Sequence, residues 1–214
     1  MARVRVLVAD DHALIRQGLI SILKGHDEFE VVGQAGDGNE AVEQALATRP
    51  DVVVLDLGMP RLNGMEAARR IRKALPRTRI LVLTMHDDEE YVLRTVRAGA
   101  SGYLVKDGAA SELVAAIRAV SAGQGYFGPQ ASRALADSYE RGDAAPEDPY
   151  ERLTAREREV FQLLIEGRTN AQVAEILFIS PKTVDNHRTH LMARLGVHST
   201  AELIRFAARR GLLA

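Results

Sequence analysis

Short runs of branched apolar residues alternate with helical patterns along the first half of the chain, and this alternation constrains the fold most strongly. The runs cover residues 4–9, 51–55, 80–84 and 102–105, with a weaker one at 31–35. They have the length of buried parallel strands. Between them, apolar residues recur every three or four positions, which predicts amphipathic helices. Five such repeats predict a doubly wound, flavodoxin-like α/β domain with a five-stranded parallel sheet.

Acidic residues follow two of the predicted strands. Asp10 and Asp11 end the first run, and Asp56 ends the run at 51–55. The carboxyl ends of parallel strands meet at one edge of a sheet, so the three carboxylates converge there. Converging carboxylates repel one another unless a divalent cation lies between them, and oxygen ligands suit Mg²⁺. The sequence therefore predicts a magnesium site with one carboxylate free to attack phosphorus.

Two further polar residues are predicted at the same edge. Thr84 ends the fourth strand, and Lys106 follows the fifth. A hydroxyl and an ammonium facing a metal-bound carboxylate match what an incoming phosphoryl group requires. Taken alone, Asp56 is explained more simply as a carboxylate that caps the loop after its strand. The joint pattern favours phosphoryl chemistry instead.

The alternation stops after residue 122, where glycine and proline become frequent. The next segment has the composition of a linker and is glycine-rich at both ends. Inside it, Ala131, Leu135 and Tyr139 recur every four residues, so a short helix is predicted there. The predicted divisions of the chain are 1–122, 123–147 as linker, and 148–214.

Residues 148–214 have the pattern of four short helices with clear start signals. Thr154 begins a capping box, and Ser180 precedes a proline at the first helical position. Thr169 or Asn170 can cap the helix before Ser180. About three residues separate that helix from the next, which is the span of a helix-turn-helix turn. An all-α, four-helix DNA-binding domain is therefore predicted.

The helix after Ser180 has one polar face, because residues three and four apart share a side of a helix. The face consists of Lys182, Asp185, Asn186 and Thr189. Asparagine can bond an adenine edge, aspartate can accept from cytosine, and lysine suits phosphate or guanine. The alternative is a solvated face of a structural helix, but the preceding turn and caps favour DNA recognition. His187 and His190 lack a set of further metal ligands.

Composition excludes several other classes. The 214 residues contain no cysteine, which excludes a disulfide framework, a zinc–thiolate site and a thiol nucleophile. No apolar stretch is long enough to span a bilayer, and the N-terminus enters a strand pattern without a signal peptide. A cytoplasmic protein with no membrane partner is expected. The formal net charge is −1, so charge alone does not predict nucleic-acid binding.

Two sets of motifs carry a family resemblance. The first set is Ala9-Asp10-Asp11-His12, Leu55-Asp56-Leu57-Gly58-Met59-Pro60, Leu83-Thr84-Met85-His86-Asp87-Asp88 and Gly102-Tyr103-Leu104-Val105-Lys106-Asp107. With these, residues 4–122 resemble the receiver domain of two-component response regulators. The second set is Leu153-Thr154-Ala155-Arg156-Glu157-Arg158-Glu159-Val160 and Ser180-Pro181-Lys182-Thr183-Val184-Asp185-Asn186-His187-Arg188. It resembles the LuxR-type helix-turn-helix, and the combination resembles NarL/FixJ-type response regulators over essentially the whole chain.

The resemblance implies how the phosphoryl group is received. Asp56 is the phospho-acceptor, Lys106 pairs with the phosphoryl group, and the Thr84 hydroxyl moves to bond it. Tyr103 matches the aromatic residue that changes rotamer when the threonine moves.

The same resemblance implies a Mg²⁺ site. Asp11 and Asp56 supply carboxylates, and the backbone carbonyl of Gly58 supplies another oxygen. Asp10 acts largely through a bound water.

The implied partners are a sensor histidine kinase, double-stranded promoter DNA and a second copy of the chain, with which it forms a homodimer on phosphorylation or on DNA. The residues assigned to DNA are Thr169, Asn170, Lys182, Thr183, Asp185, Asn186, Arg188 and Thr189. In this reading the receiver catalyses only its own phosphorylation and dephosphorylation. The unphosphorylated receiver either blocks the recognition helix or only tethers the DNA-binding domain, and the resemblance, not a residue pattern, favours blocking.

The sequence also bears on two other classes of function. Some phosphatases use an aspartyl nucleophile with Mg²⁺, but they need a second acid two residues later, where this chain has Gly58. A constitutive DNA-binding module could use the first domain only as a dimerisation scaffold. The complete set of acidic, hydroxyl and ammonium positions argues against that module.

Overall fold

The computed structural model of the protein describes residues 3–85, 89–140, 149–208 and 212. The chain divides into two compact units, Met1–Arg141 and Gly142–Ala214. The first unit contains two hydrophobic cores and the second contains one.

One parallel sheet forms the centre of the first unit. Its strands are β1 (Val4–Ala9), β2 (Phe29–Ala35), β3 (Val52–Asp56), β4 (Arg79–Thr84), β5 (Gly102–Val105) and β6 (Tyr126–Phe127). They lie in the order β2-β1-β3-β4-β5-β6, and every pair is parallel. The change in strand order beside β1 places the carboxyl ends of β1 and β3 next to each other, which is where α/β sheets bind ligands.

Helices cover both faces of this sheet. They are α1 (Ala13–Lys24), α2 (Gly38–Thr48), α3 (Gly64–Ala74), α4 (Glu89–Arg97), α5 (Lys106–Ser121) and α6 (Pro129–Glu140). Successive strand residues point to opposite faces. Val6 and Val8 therefore pack in one core with α1 and α5, whereas Leu7 and Ala9 pack in the other with α2, α3 and α4. The predicted doubly wound α/β class is confirmed.

The sheet has six strands, so the predicted number of five was wrong. The additional strand, β6, contains two residues, with Tyr126 beside Gly102 and Phe127 beside Tyr103. Two residues are too few to produce a periodic apolar pattern. Gly123, with φ of 84°, lies in the turn between α5 and β6, a conformation that glycine adopts without strain.

Helix α6 follows β6 and packs against α4. Ala131 is buried there, and Leu135 contacts the same core. A helix is thus present where the sequence pattern predicted a short one. The domain boundaries predicted at residues 122 and 147 stay predictions, because the packing of α6 on the first unit does not by itself define where a folding domain ends. Residues 141–148 of the predicted linker lie outside the described residues.

The second unit is all-α. A short 3-10 turn, Pro149–Arg152, precedes α7 (Ala155–Ile165), α8 (Asn170–Ile176), α9 (Pro181–Leu195) and α10 (Thr200–Ala208). Tyr150, Phe161 and Phe206 stack edge to face in its core. The predicted four-helix class is confirmed. Within the described ranges, no helix combines the length and the apolar character that crossing a membrane requires.

Candidate functional site

The register of the sheet brings acidic residues of β1 and β3 side by side. Ala9 pairs with Leu55, so the residues that directly follow them, Asp10 and Asp56, lie side by side at the carboxyl ends of β1 and β3. Asp10 is fully buried and Asp56 is 4% exposed. Asp11 is partly exposed, with 24% of its side chain accessible. Buried carboxylates require a compensating charge or hydrogen bonds, so this edge is chemically unusual.

The carboxylates form a group that can hold a metal ion. One ligand atom from each of Asp10, Asp11, His12 and Asp56 lies within 4.8 Å of all the others. The His12 ring lies 2.7 Å from Asp11, between Nδ1 and Oδ1, and the His12 backbone N–H donates to Asp10 at 2.8 Å. His12 was not predicted as a site residue. Its position directly after the acidic pair was the available signal.

The donor set fits Mg²⁺. Hard carboxylate oxygens are the ligands that Mg²⁺ prefers, and two of these carboxylates are buried. Three carboxylates beside one lysine leave a net negative charge that a divalent cation would compensate. The imidazole of His12 belongs to a ligand class that suits transition metals better.

Lys106 connects the two buried carboxylates. Its Nζ atom lies 2.9 Å from Oδ2 of Asp10 and 3.1 Å from Oδ1 of Asp56. The lysine side chain is itself only 8% exposed. Lys106 is the first residue of α5 and directly follows β5, so the end of the strand fixes where its side chain starts.

Burial and charge change the pKa values of this pair. Burial raises the pKa of the Asp56 carboxyl, Lys106 opposes that rise, and the charges of Asp10 and Asp11 add to it. For Lys106, burial alone would lower the pKa. The bond to Asp10 and the charges of Asp56 and Asp10 outweigh burial, so the pKa of Lys106 is raised and its ammonium form is favoured.

The other predicted residues lie at or near the same edge. Thr84 ends β4, is 2% exposed and pairs in register with Val105, directly before Lys106. A Cβ atom placed on Gly58 would lie 3.9 Å from Oδ2 of Asp56, so the backbone at Gly58 runs beside that carboxylate. Tyr103 lies inside β5 and is buried in the core.

Helix α9 of the second unit exposes the predicted DNA face. Ser180 caps it by accepting from the Thr183 backbone N–H at 3.1 Å, and Pro181 is its first residue. The exposed residues of the predicted face are Lys182, Asp185, Asn186 and Thr189. Thr183 and Arg188 are half-buried. The four exposed side chains therefore form one accessible polar surface.

Two of the contacts that connect α9 to neighbouring helices involve residues predicted to bind DNA. Asn170, at the start of α8, lies 3.4 Å from Asp185, between Nδ2 and Oδ1. Arg188 donates from Nη2 to Oγ1 of Thr200 at 2.9 Å, which joins α9 to α10. Thr169, which is exposed, forms a capping box with Gln172 at the start of α8. Arg188 is thus engaged within the domain, whereas Lys182 extends from an exposed position.

One exposed residue near this face was not predicted. Phe178 lies in the turn between α8 and α9, is 95% exposed and has a positive φ of 53°. Its position inside an apolar stretch gave no sign of exposure.

Comparison with known proteins identifies both units. Residues 6–118 match the response regulator receiver domain, and residues 151–207 match bacterial regulatory proteins of the luxR family. The oxygen regulatory protein NreC of Staphylococcus carnosus strain TM300 is 39% identical over 214 residues, which cover 98% of this chain and 99% of NreC. The chain belongs to the NarL-family response regulators.

Solved structures of other response regulators match over almost the full length. The response regulator ChrA of a heme-sensing two-component system is 36% identical, with a TM-score of 0.53 and coverage of 100% of both chains. The response regulator RcsB in its DNA complex is 26% identical, with a TM-score of 0.58 and coverage of 96% of this chain and 98% of RcsB. This response regulator is therefore a phosphorylatable transcription regulator with a LuxR-type DNA-binding domain.

Proposed function

We propose that this response regulator accepts a phosphoryl group on Asp56 from a sensor histidine kinase and then regulates transcription through α9. The observation that carries the proposal is the position of Lys106, whose ammonium lies between the buried carboxylates of Asp10 and Asp56. A lysine in this position can do more than stabilise the fold, because its ammonium can pair with the oxygens of a group transferred to Asp56.

Transfer requires a carboxylate nucleophile. An oxygen of Asp56 forms a bond to phosphorus while the phosphorus–nitrogen bond of the kinase phosphohistidine breaks, and the bonding electron pair stays on the imidazole. The Lys106 ammonium then stays in its site and exchanges the Asp56 carboxylate oxygen for a phosphoryl oxygen as its partner. Its raised pKa keeps it charged during this exchange.

Asp11, Asp56 and the carbonyl of Gly58 are the groups that would hold Mg²⁺, with Asp10 acting through a water. The ion would supply positive charge against the phosphoryl oxygens. His12 supports this arrangement through its contact with Asp11. Such outer contacts orient the carboxylates that bind a metal.

The phosphoryl group then changes the conformation of the receiver. The Thr84 hydroxyl bonds a phosphoryl oxygen, and the side chain of Tyr103 changes rotamer in response. Tyr103 pairs in register with Phe127 of β6 and shares a core with Ala131 of α6, so a change at Tyr103 reaches the segment that leads to the DNA-binding domain. The dianion thereby shifts an equilibrium between two receiver states.

DNA recognition follows from the exposed face of α9. Asn186 and Asp185 read base edges, Lys182 contacts phosphate or guanine, and Thr189 contributes a hydroxyl. The predicted set of DNA-binding residues also includes Thr169, Asn170, Thr183 and Arg188. A homodimer reads two half-sites about one helical turn, ~10 base pairs, apart. RcsB, which is similar over almost the whole chain, has been solved bound to DNA.

The protein turns over no metabolite in this proposal, since the only reactions at Asp56 are its own phosphorylation and dephosphorylation. We place its action in the cytoplasm, where promoter DNA is accessible.

The test is a DNA-binding comparison on a selected operator, with wild type and Asp56→Asn each treated with acetyl phosphate and Mg²⁺. Wild type should gain affinity on treatment, and the variant should not respond. An equal gain by both proteins would mean that the regulated event does not occur at Asp56.

A further inference from the structure

The loop that joins β3 to α3 contains an unusual turn a few residues after Asp56. The backbone N–H of Leu62 donates to the carbonyl of Pro60 at 2.7 Å, which closes a three-residue turn around Arg61. Arg61 has a φ of 65°. A three-residue turn with a left-handed central residue is rare and strained, and a residue with a long side chain disfavours this conformation. Something outside the loop must therefore hold Arg61 in place.

The side chain of Asp37 holds Arg61 in this conformation. This side chain is only 4% exposed, and its two carboxylate oxygens have different partners. Oδ1 accepts from the backbone N–H of Glu40 at 2.9 Å and caps α2. Oδ2 forms an ion pair with Nη2 of Arg61. The cap fixes the carboxylate on α2, so the ion pair ties the strained turn to the start of that helix.

Close backbone contacts leave the loop little room to move. A Cβ atom on Gly38, next to Asp37, would lie 1.9 Å from the carbonyl oxygen of Leu62. A Cβ atom on Gly64 would lie 1.9 Å from the carbonyl oxygen of Asp56. The last part of the loop thus lies directly against the start of α2, and the two ends of the loop, at Asp56 and Gly64, lie against each other. Within the loop, Met59 is fully buried.

We propose that Asp37 and Arg61 are positioning residues for Mg²⁺ binding, because their ion pair stabilises the strained turn and thereby places the carbonyl of Gly58 beside Asp56. Gly58 is three residues before Arg61, and the buried Met59 and the rigid Pro60 connect them. Mg²⁺ demands near-ideal octahedral geometry, so a small displacement of one ligand weakens binding. This inference rests on the proposed Mg²⁺ site.

Two substitutions break the pair from opposite sides. Asp37→Asn keeps an acceptor for the α2 cap but removes the charge that holds Arg61. Arg61→Ala removes the other partner and leaves the turn strained. The first change removes a negative charge near the metal site, and the second removes a positive one. A general charge effect would therefore shift Mg²⁺ affinity in opposite directions, whereas loss of the turn weakens it in both variants.

A third substitution separates strain from charge. Glycine adopts positive φ without strain, so Arg61→Gly lets the turn persist without the ion pair. The matched control is Arg118→Ala, which removes an exposed ion pair with Glu28, at 2.6 Å, on another part of the receiver.

The experiment is a calorimetric titration of each full-length protein with Mg²⁺, with circular dichroism to verify folding. Asp37→Asn and Arg61→Ala should raise the Kd for Mg²⁺ about tenfold, the size of effect that outer contacts have at metal sites. Arg61→Gly should lie closer to wild type, and Arg118→Ala should equal it. Asp56→Asn in the same series should weaken Mg²⁺ binding directly.

Three results would overturn the inference. Wild-type affinity in Asp37→Asn and Arg61→Ala, together with weak binding by Asp56→Asn, would remove the role of the pair and leave the proposed function intact. Equal weakening by Arg61→Gly and Arg61→Ala would show that turn strain is not the link. No Mg²⁺ binding by wild type would overturn both the inference and the proposed site.

Discussion

The Nζ atom of Lys106 lies 3.1 Å from Oδ1 of Asp56, at the point where β5 ends beside β4. The same ammonium lies 2.9 Å from Asp10. One cation is thus shared by two buried carboxylates, with Asp11 adding a third negative charge nearby. Burial is the main reason why the pKa of Asp56 stays above that of an ordinary aspartate in spite of its lysine partner, and the charges of Asp10 and Asp11 add to the rise.

The first prediction concerns stability and pH. Burial and neighbouring acids raise the folded-state pKa of Asp56 above its ordinary 3.8. Below pH 3.8 the Asp56 carboxyl is protonated in both the folded and the unfolded state, so it does not lower the free energy of unfolding. As the pH rises from 3.8 through the folded-state pKa of Asp56, the carboxyl ionises more readily in the unfolded chain than in the folded protein, so the folded state loses stability over this range. Asp56→Asn, which cannot ionise, should therefore be more stable than wild type without metal, by a margin that grows with pH and then levels off.

Urea unfolding of both proteins in a chelator, across acidic to neutral pH, measures that margin. A margin that shrinks as pH rises would contradict the electrostatic explanation. Added Mg²⁺ should reduce the difference in stability between the two proteins, because folded wild type binds the ion well and is stabilised by it, whereas Asp56→Asn binds it weakly.

The second prediction concerns the shared lysine. Lys106→Met leaves two buried carboxylates without their cation and should destabilise the receiver at neutral pH by about 3 kcal/mol, as expected when one member of a buried ion pair is removed. Lys73→Met is the control, because Lys73 is an exposed lysine of α3. A surface change of that kind should stay within about 0.5 kcal/mol. Equal unfolding free energies for the two variants would mean that Lys106 is not needed to balance the acids.

Some features of the site followed from the sequence and others did not. Asp10 and Asp56 could be placed together because each follows a long apolar run, and such runs predict parallel strands well. Strand β6 could not be predicted, since two residues make no pattern. The turn at Arg61 could not be predicted either, because arginine has no preference for positive φ. That conformation depends on Asp37, which is close in space only after α2 and the β3–α3 loop have packed.

The third prediction concerns base recognition by α9. Asn186→Ala should cost about 1–3 kcal/mol at its cognate base pair and reduce the preference at that position. Lys182→Ala should weaken binding to all sequences more evenly if the lysine contacts phosphate, and the salt dependence should flatten. Affinity measured on specific and random duplexes at several salt concentrations distinguishes the two. Equal losses on both duplexes for Asn186→Ala would mean that this residue does not read a base.

The fourth prediction concerns Arg188, which was assigned to DNA from the sequence. Its bond to Thr200 gives it a second role in joining α9 to α10. Arg188→Ala should therefore lower the unfolding free energy of the DNA-binding domain by about 1 kcal/mol in addition to weakening DNA binding. Thermal unfolding measures the first effect. Unchanged stability would leave Arg188 as a DNA contact alone.

The fifth prediction concerns control of the output domain by the receiver. If the unphosphorylated receiver blocks the recognition helix, the fragment 148–214 should bind an operator more tightly than the unphosphorylated full chain. Phosphorylation should then recover part of the difference, through a shift between receiver states. Titration of one operator with all three species measures this. A fragment that binds no better than the unphosphorylated chain would leave receiver-driven dimerisation as the means of activation.

The most direct measurement is the intact mass of the protein after incubation with acetyl phosphate and Mg²⁺, for wild type and Asp56→Asn in parallel. Wild type should gain the mass of one phosphoryl group per chain, and the adduct should be lost in mild base, as expected for an acyl phosphate. Asp56→Asn should gain nothing, because an amide is a poor nucleophile. A phosphoryl adduct on Asp56→Asn, or none on wild type, would contradict Asp56 as the phospho-acceptor.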